Sequence, residues 1–475
     1  MKHSDNFILK SDSYKVSHPR QYPVGTNKIY SYLESRGGRF SSTLFFGLQY
    51  ILKKHFTGIQ ITPEAIDQAE AFFKEHFFGV DLFNRAGWEY IVKEHGGKLP
   101  LRICSVPEGT VVGAHNVLMT IENLDPKAYG LMAWLTNYSE TLLSHLWYSI
   151  TVATNSFECK RIIKRYLEET HGDLTSLPFK LHDFGFRGVS CYEQSAIGGA
   201  SHLVNFMGTD TISGIICAKE NYNSKMCGFS IPASEHSTIT SWGREHEVDA
   251  YRNMLKQYPS GFVACVSDSY DIYNACDKLW GDVLREEVLA RSGTLVIRPD
   301  SGDPVEVNSR IIDILWNKFG GDYNQKHFKV LNNHVRIIQG DGIELSTIEA
   351  ILQMYKNKGY SAENIAFGSG GGLLQKFDRD TNKFAIKCSY AEINGVGVNV
   401  YKDPITSAGG KTSKKGKLKL HSHPNTKTFS TISSAEETPV AFNSYTDSLE
   451  VVYENGQLIK EDSFDAIRKR TEEYI

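Results

Sequence analysis

Short apolar runs recur along the chain from about residue 178 onward, and each run closes in polar or glycine-rich residues. Helical spacing of apolar residues follows most of them. Continuous apolar strands that alternate with amphipathic helices are typical of parallel strands covered on both faces. A series of seven or eight such runs predicts a closed β/α barrel rather than an open sheet. The runs are FKLHDFGFRG, TISGIICA, GFSIPASEH, GFVACVSDSYD, TLVIRPDSGD, VRIIQGDG and NIAFGSGGG, with FAIKCSYAE behind them.

One of the predicted helices can be read residue by residue. After GDGIEL, Ser346 and Glu349 have the spacing of a capping box, and Gly359 is the expected stop. Four apolar residues fall on one face, namely Ile348, Ile351, Leu352 and Tyr355. The pattern predicts a strand followed by a helix.

The rest of the chain mixes helical and strand patterns differently. Residues 1–177 combine β-like stretches such as LPLRICSVPEGTVVG with helical patterns such as PEAIDQAEAFFKEHF. The predicted fold class is therefore α/β, with a β/α barrel-like domain at 178–389 that carries the active site and a second, α+β domain from 1–177 and about 390–475. The stretch 407–423 is predicted to be an exposed loop, for which a solvated surface and phosphate contact are both open.

Composition narrows the function. The 475 residues are 41% apolar and 12% aromatic, enough for one large or two fused domains. A net charge of −3 gives no reason to expect nucleic acid or an anionic membrane as a partner, so anionic ligands must be met by local Arg and Lys. Without a spanning apolar run or a signal-peptide pattern at the start, the chain is predicted to be soluble and cytoplasmic. The 8 dispersed cysteines are read as reduced thiols.

Polar residues follow the predicted strands one after another. Because the site of a β/α barrel lies at the carboxyl ends of its strands, we expect these residues to meet there. Any one of them is also explained as a cap or turn, but six such places in succession favour a site. They are Phe184 and Arg187; Glu235 and His236; Asp268; Arg298, Asp300 and Ser301; Gly340 and Asp341; and Gly368, Gly370, Gly371 and Gly372.

The glycine segment GSGGG predicts a phosphate site, since glycine lets backbone N–H groups approach an anion. No Lys-Ser/Thr follows, which disfavours a Walker A loop. The acids Asp268, Asp300 and Asp341 suit ribose hydroxyls, or a Mg²⁺ held jointly with pyrophosphate oxygens, better than a permanent metal cage. The cations that follow could supply charge for phosphates or be ordinary surface residues; they are Arg379, Lys387, Lys402 and Lys411.

Two single residues have both a structural and a functional interpretation. His236 stands next to Glu235, and a neighbouring carboxylate can fix a histidine tautomer and raise its nucleophilicity, although a lone histidine is more often structural. Phe184 at a strand end is either core or a flat face for a planar heteroaromatic ring, where stacking is worth about 1–3 kcal/mol.

Long motifs in this chain closely resemble those of the nicotinamide phosphoribosyltransferases, a family of type II phosphoribosyltransferases. The resemblance is collinear over nearly the whole chain. The motifs are DSYKVSH, LHDFGFRG, HLVNFMGTDT, SIPASEHSTITSWG, VSDSYDIYNA, RPDSGDP, IQGDG and FGSGGGLLQK. The resemblance implies transfer of the phosphoribosyl group of phosphoribosyl pyrophosphate to nicotinamide, giving nicotinamide mononucleotide for NAD salvage.

The resemblance also implies a homodimer with active sites at the subunit interface, to which the partner lends Asp12 and Tyr14. The nicotinamide ring would lie between Phe184 and the partner's Tyr14, close to Arg187. Asp210 would accept from the carboxamide NH₂ and repel the carboxylate of nicotinic acid.

The remaining roles follow from the same resemblance. Arg298 and Asp300 would hold the ribose, and Gly340, Gly370 and Gly371 would lie near the 5′-phosphate. His236 matches a histidine that ATP phosphorylates, so ATP is expected as a coupled cosubstrate alongside Mg²⁺. The expected set for pyrophosphate, 5′-phosphate and ATP phosphates is Arg36, Arg379, Lys387, Lys402 and Lys411.

Two positions depart from the family pattern. Ala385 stands where a phosphate-contacting Ser is expected, and the segment GGRFSST after Arg36 is shorter than in animal members, which suggests a bacterial or phage origin. Three alternatives remain: a nicotinate phosphoribosyltransferase, a non-catalytic binding protein of this fold, and a barrel aldolase or isomerase acting on sugar phosphates.

Overall fold

The computed structural model describes residues 2–125, 132–404, 413–423 and 427–475. The chain packs into two compact units. The sheet unit comprises 1–154, 221–223 and 377–474, and the barrel unit comprises 155–220, 224–376 and residue 475. The sequence placed the borders later, at 177 and about 389, because neither the long helix around residue 154 nor the loop after 376 carries a break in pattern.

The elements of the sheet unit come from both ends of the chain. The amino-terminal ones are β1 Thr26–Ser35, β2 Ser42–Leu44, α1 Leu48–His55, α2 Pro63–His76, α3 Arg85–His95, β3 Leu101–Ser105, β4 Val111–Gly113, β5 Val117–Asn123 and α4 Trp134–Ser144, followed by α5 Leu146–Thr170, which the border divides. The carboxyl-terminal ones, numbered after those of the barrel unit, are β14 Phe384–Ile393, β15 Val396–Asn399, β16 Leu418–His423, β17 Thr428–Ser433, α15 Pro439–Ser444, β18 Glu450–Glu454, β19 Gln457–Leu458 and α16 Phe464–Glu472.

An antiparallel sheet of seven strands organises this unit, in the order β15-β14-β1-β5-β3-β18-β19. β1 lies between β14 and β5, so a strand from near the start of the chain pairs with one from near its end. A large apolar core, which includes Tyr32, Leu101 and Tyr453, fills the space between the sheet and its helices, and Ile29, Ala133 and Ala391 form a smaller cluster. The run FAIKCSYAE, expected behind the barrel strands, is β14 of this sheet.

The barrel unit alternates strands and helices. Its elements are β6 Leu181–Asp183, α6 Tyr192–Leu203, β7 Gly208–Thr209, α7 Ile212–Tyr222, α8 His236–Thr240, α9 Glu247–Gln257, β8 Ser260–Val266, α10 Ile272–Asn274, α11 Arg285–Ala290, β9 Ser292–Arg298, α12 Pro304–Phe319, β10 Gly321–Tyr323, β11 Lys329–Leu331, β12 Val335–Gln339, α13 Leu345–Asn357, β13 Ile365–Ser369 and α14 Gly371–Leu374. The last two residues of α7 lie outside the barrel unit's borders, and a π-helix, Ala275–Val283, follows α10.

Six parallel strands form the barrel wall in the order β7-β6-β13-β12-β9-β8. The gap between β7 and β8 is closed by the segment 228–234, here called the seam, through the isolated bridges Gly208↔Phe229 and Ala233↔Ala264. Inside the wall, Ala264, Val296 and Ile338 form a small apolar cluster. The predicted α/β barrel-like fold is thus confirmed, with six regular strands and one irregular segment.

Four local predictions were wrong. The stretch 407–423 was expected to be an exposed loop, but 418–423 form the strand β16, in which Leu418 and Leu420 are buried, while 407–412 lie outside the described residues. The run TISGIICA is the helix α7, which lies so close to α6 that a Cβ on Gly214 would come within 2.7 Å of the Gly199 carbonyl carbon. GFSIPASEH forms only the two bridges of the seam. The capping box of α13 is absent because its N-cap is Glu344, while Glu349 pairs with Arg165; the predicted apolar face is nevertheless buried.

No helix within the described ranges is long and apolar enough to cross a membrane.

Candidate active site

The barrel wall brings most of the predicted residues to one end. Phe184 and Asp210 follow β6 and β7, and Asp268 comes two residues after β8. Arg298 is the last residue of β9, and Gly340 follows β12. This end of the wall, called the barrel mouth below, is where parallel strands deliver the residues after their carboxyl ends.

At one side of the mouth, His236 and two acids form a connected cluster. His236 Nε2 lies 3.0 Å from Asp268 Oδ1, and His236 Nδ1 lies 3.9 Å from Asp300 Oδ2. Asp268 is 3% exposed, and its Oδ2 accepts from the Asp300 N–H at 3.0 Å and the Ser301 hydroxyl at 2.5 Å. Both oxygens of Asp268 are therefore engaged, which holds His236 in one orientation while 45% of its side chain stays exposed.

Asp300 is the acid of this cluster that stays open to a ligand. Arg298 Nη2 lies 3.7 Å from its Oδ2, beyond hydrogen-bond distance. Burial raises the pKa of the Asp300 carboxyl, the Arg298 charge lowers it, and the charges of Asp268 and Asp341 raise it. The buried Nε of Arg298 has no hydrogen-bond partner in the described part of the chain. Arg298 and Asp300 thus offer a donor and an acceptor side by side, as vicinal hydroxyls require.

Phe184 lies on glycines of the mouth and close to Asp300, since a Cβ on Gly340 would stand 3.0 Å from Asp300 Oδ1. A Cβ on Gly368 would stand 2.0 Å from Cε2 of the Phe184 ring, and a Cβ on Gly340 would stand 3.6 Å from the same atom. The Phe184 N–H donates to the carbonyl of Ser369 at 2.9 Å, which fixes the start of the turn. One face of the ring is therefore packed on backbone, and the side chain as a whole is only half-buried.

The glycine loop after β13 packs against the turn that carries Arg187. A Cβ on Gly188 would stand 3.3 Å from Gly371 N, and one on Gly370 would stand 3.5 Å from Phe184 O. A Cβ on Gly371 would meet nothing within 4 Å. The space beside this backbone is open, as an anion site requires, although the helix that follows, α14, is only four residues long.

Asp210 is exposed next to Phe184's strand, and the seam supplies a partner for it. The hydroxyl of Ser230 donates to Asp210 Oδ1, and the Asp210 N–H donates to the Asp183 carbonyl at 2.9 Å. Sequence reasoning missed Ser230, since an isolated serine in an irregular segment carries no signal of its own.

Glu235 does not pair with His236, contrary to the reasoning from their adjacency. Glu235 is the N-cap residue of α8: its N–H donates to the Thr238 hydroxyl at 3.3 Å, and its carboxylate accepts from Ser237. Successive residues at a helix start point in different directions, so His236 instead meets Asp268, 32 residues away in sequence.

A second group of predicted residues lines a cleft of about 1010 Å³ in the sheet unit. Asp12 is the N-cap of the 3₁₀ helix Ser13–Arg20, in which Tyr14 is 60% exposed. The next residue, Lys15, is buried and pairs with Glu140 at 3.3 Å. This buried pair anchors the segment and leaves the Tyr14 ring outside.

The other walls of the cleft are basic. Arg36 is held by Glu34, which is 3% exposed and accepts from Arg36 Nε at 2.8 Å and from Lys414 Nζ at 2.5 Å. The cleft also contains His115 and Lys383, both with left-handed backbone at φ +66° and +49°, and neither was predicted. The predicted cations that line it are Arg379, Lys387 and Lys402, together with Ala385. Lys411 lies outside the described residues.

Asp268, Asp300 and Asp341 are the acids of the mouth that could hold a Mg²⁺. Within the described residues, no three His, Cys, Asp or Glu side chains form a group that would hold a metal by themselves. Asp268 is saturated by hydrogen bonds, whereas the Asp300 carboxylate is open and has the Asp341 charge nearby. This donor set fits a Mg²⁺ that arrives with substrate phosphates and uses one or two carboxylates.

The interior of the barrel is partly hollow. A cavity of about 590 Å³ is lined by strand residues such as His182, Val296, Ile338 and Ala366 and by Ile231 of the seam. Its lining includes Phe262, Thr294 and Glu363 near the amino ends of the strands, and it includes neither Phe184 nor Asp210. A planar ring at the mouth would instead meet the half-buried face of Phe184 and the Asp210 carboxylate.

Known proteins resemble this chain over nearly its whole length. The sequence profile of the nicotinate phosphoribosyltransferase (NAPRTase) family matches residues 179–456, and that of the nicotinamide phosphoribosyltransferase N-terminal domain matches residues 6–103. The chain is 51% identical to a nicotinamide phosphoribosyltransferase of Xanthomonas campestris pv. campestris, with 98% of both chains covered. It is 34% identical to one of Acinetobacter baylyi, covering 97% of this chain and 95% of the other.

Two solved structures share the fold. A nicotinate-nucleotide pyrophosphorylase from Pyrococcus furiosus superposes with a TM-score of 0.61 at 15% identity, covering 100% of this chain and 96% of the other. The human nicotinic acid phosphoribosyltransferase superposes with a TM-score of 0.53 at 13% identity, covering 97% and 92%.

Proposed function

The chain belongs to the nicotinamide phosphoribosyltransferase family, within the wider nicotinate phosphoribosyltransferase family, and we propose that it transfers the phosphoribosyl group of phosphoribosyl pyrophosphate to nicotinamide. The observation that carries the choice of base is the pairing of a phenyl face with a carboxylate. Phe184 offers a surface for a pyridine ring, and the Asp210 carboxylate accepts from an amide N–H₂ but repels a second carboxylate. Nicotinate is disfavoured for that reason.

The transfer itself needs the rest of the mouth. The pyridine nitrogen of nicotinamide attacks the anomeric carbon as the bond to pyrophosphate breaks, through a centre with oxocarbenium character. Arg298 and Asp300 bind the ribose hydroxyls, and the open backbone at Gly370 and Gly371, together with Gly340, receives the 5′-phosphate. Asp300 would hold a Mg²⁺ together with the substrate phosphates, and the ion would supply charge for the departing pyrophosphate.

The basic cleft of the sheet unit is assigned to phosphates. Arg36, Arg379, Lys387 and Lys402 line one cleft, and polyphosphates need several cations. We assign them to pyrophosphate, 5′-phosphate and ATP phosphates, and the same role is proposed for Lys411.

A homodimer is proposed because Tyr14 is presented outward from a buried anchor. In that arrangement the partner subunit's Tyr14 covers the free face of the nicotinamide ring, and the partner subunit's Asp12 lies at its edge. An exposed tyrosine next to the buried pair Lys15 and Glu140 suits a contact made outside its own subunit.

We further propose that ATP phosphorylates His236. Asp268 accepts a hydrogen bond from Nε2, which leaves the lone pair on Nδ1 as the nucleophile. Nδ1 attacks the γ-phosphorus of ATP, the bond to the β-phosphate oxygen breaks, and ADP leaves. Hydrolysis of the phosphohistidine then returns the free imidazole and phosphate, so ATP cleavage is coupled to the transfer.

The proposed reaction is tested by incubating the protein with nicotinamide, phosphoribosyl pyrophosphate and Mg²⁺, with and without ATP, and following mononucleotide by mass. Nicotinate in place of nicotinamide is the parallel arm. We expect nicotinamide mononucleotide and pyrophosphate, with more product when ATP is present. Faster use of nicotinate would overturn the choice of base, and no mononucleotide from either base would overturn the reaction.

The ATP step is tested separately with His236→Ala. This variant should lose ATPase activity and the acid-labile phosphoprotein but retain slow, ATP-independent mononucleotide synthesis. His246→Ala is the matched control, because His246 is another exposed histidine of the barrel unit that pairs with an acid, at 3.0 Å from Asp249 Oδ2. Full ATP stimulation in His236→Ala, or its loss in His246→Ala, contradicts the assignment.

A further inference from the structure

Asp183 is a completely buried acid at the end of β6, directly before Phe184. Its Oδ1 accepts from the Gly185 N–H at 2.7 Å, and its carbonyl oxygen accepts from the Asp210 N–H at 2.9 Å. One residue therefore fixes the backbone on both sides of the ring site. The Asp183 carboxylate fixes the turn that carries Phe184, and the Asp183 carbonyl fixes the backbone of Asp210, which is the proposed acceptor for the amide of the base.

The second carboxyl oxygen of Asp183 is enclosed by a neighbouring helix. A Cβ on Gly199 of α6 would stand 3.3 Å from Asp183 Oδ2 and 3.1 Å from Thr211 Cγ2. Only glycine allows α6 to come this close, so the acid is packed on every side rather than turned to solvent. An apolar side chain of the same size would leave the buried Gly185 N–H without its acceptor, so the carboxyl serves the turn in spite of the cost of burying it.

The charge state of Asp183 is coupled to that of Asp210. Burial raises the pKa of the Asp183 carboxyl to about 7; the Gly185 amide and the Thr211 hydroxyl act in the opposite direction, and the Asp210 charge raises it further. The adjacent His182 gives no compensating cation, since burial lowers its pKa, although the Asp210 charge opposes this and that of Lys180 adds to it. Near neutral pH a proton on Asp183 therefore spares Asp210 a second negative charge at its side.

We propose that Asp183 is a positioning residue for the base site, which sets the Phe184 turn and Asp210 in the geometry that binds nicotinamide. The inference rests on the proposed function, because it takes the ring site to be the nicotinamide site. Asp183 touches no substrate itself; it acts through the two residues that do.

The test uses two variants in the full-length protein. Asp183→Asn keeps the shape and an acceptor for the Gly185 N–H but cannot ionise, whereas Asp183→Ala removes the acceptor. We expect Asp183→Ala to raise the KM for nicotinamide at least tenfold with the KM for phosphoribosyl pyrophosphate within twofold. In the wild type the KM for nicotinamide should change between pH 6 and pH 8, and in Asp183→Asn it should not.

Glu108 is the matched control. It is a buried carboxyl of the sheet unit whose pKa burial raises to about 7 while the amides of Gln49 and Gly47 act against the rise, and it accepts two backbone N–H groups at 2.7 and 2.9 Å. It has no part in the ring site. Glu108→Gln should leave the KM for nicotinamide and its pH profile unchanged.

Melting temperatures test separately whether both carboxyls titrate. Each folded pKa lies above its unfolded value, so the stability that protonation contributes is complete below about pH 4 and is lost as the pH rises through 7. The melting temperature of Asp183→Asn relative to wild type should therefore rise between pH 5 and pH 8, and that of Glu108→Gln should do the same.

Three outcomes overturn the inference: nicotinamide KM values of Asp183→Ala within twofold of wild type, coinciding pH profiles for wild type and Asp183→Asn, or an equal effect from Glu108→Gln. If Asp183→Ala does not fold, the pH profile of Asp183→Asn decides alone. Failure of the proposed function is a separate result, because the wild type would then form no nicotinamide mononucleotide.

Discussion

The barrel mouth and the basic cleft differ in how their charges are balanced. In the mouth, the charged groups lie against one another: His236 on Asp268, and Arg298 beside Asp300. In the cleft, cations line a large open space, where Arg36 is paired with the buried Glu34 and Lys15 with Glu140. The mouth is built to hold groups in fixed directions, and the cleft is built to supply positive charge.

The two regions therefore suit two different tasks, recognition of a ring and a ribose in the mouth and attraction of phosphates in the cleft. Recognition of a ring and of vicinal hydroxyls depends on direction, so a small displacement of Asp300 or Phe184 costs much of the rate. Attraction of phosphates depends mainly on the sum of nearby charge, which several mobile side chains share. Substitutions in the mouth should therefore have large, specific effects, and single substitutions of the cleft's cations should have small effects that salt removes.

The largest effect is expected from mixing defective chains. Arg298→Ala should lower kcat/KM by about 10²–10³, as loss of a positioned charged donor does, and Tyr14→Ala should lower it by about tenfold or more through lost stacking. If the partner lends Tyr14, each hybrid dimer of these two variants has one intact site, and an equimolar mixture regains about a quarter of the wild-type sites. The measurement is mononucleotide synthesis after co-refolding.

Arg298→Ala mixed with Asp300→Ala is the control, because both residues belong to the same barrel and no intact site can form. Recovery in this control, or no recovery with Tyr14→Ala when hybrid dimers are demonstrably present, rejects the shared site.

An intermediate effect is expected at Asp210. Asp210→Asn should lower the preference for nicotinamide over nicotinate by about tenfold, since a hydrogen bond to a charged group is worth ~1.5–3 kcal/mol. The quantity to measure is the ratio of kcat/KM for the two bases. Ser230→Ala, which removes the hydroxyl that donates to Asp210 but keeps the charge, should shift the ratio less. If the ratio of kcat/KM for the two bases is the same in wild type and Asp210→Asn, the Asp210 charge does not determine the specificity.

The smallest effect is expected at Lys383 in the cleft. Lys383→Met should raise the KM for phosphoribosyl pyrophosphate about two- to fivefold at low salt, which corresponds to an exposed charge contact of ~0.5–1 kcal/mol. The rise should disappear near 0.5 M salt because screening is then nearly complete. Lys74→Met, at an exposed lysine of α2 outside the cleft, serves as the control. A KM that is unchanged at low salt would take Lys383 out of the phosphate site.

The barrel mouth could be predicted from sequence because parallel strands impose a rule. The residues that follow each strand must meet at one end, so the strand pattern alone predicts that Asp268 and Arg298 lie together. This rule makes no prediction for segments that form no regular strand. The seam and its Ser230 were missed for that reason, and the partner of His236 was sought at Glu235, its neighbour in sequence, rather than at Asp268.

The cleft follows no such rule. Its walls meet because β1 pairs with β14, which sets Glu34 opposite Ala385 across hundreds of residues of intervening chain. No local pattern encodes that pairing, and only the family resemblance pointed to Arg36, whereas Lys402 was also predicted as one of the cations that follow the glycine segment. His115 and Lys383 were missed because they lie outside the quoted motifs and their left-handed backbone is not visible in a sequence.

The contact between Phe184 and Gly368 limits how this protein can diversify. A methyl group at 368 would overlap the ring, at 2.0 Å from Cε2, so the two positions cannot be varied independently. In a mutant library, a larger residue at 368 would survive only in clones that also carry a smaller residue at 184. Phe184 and Gly368 are therefore expected to change together or not at all.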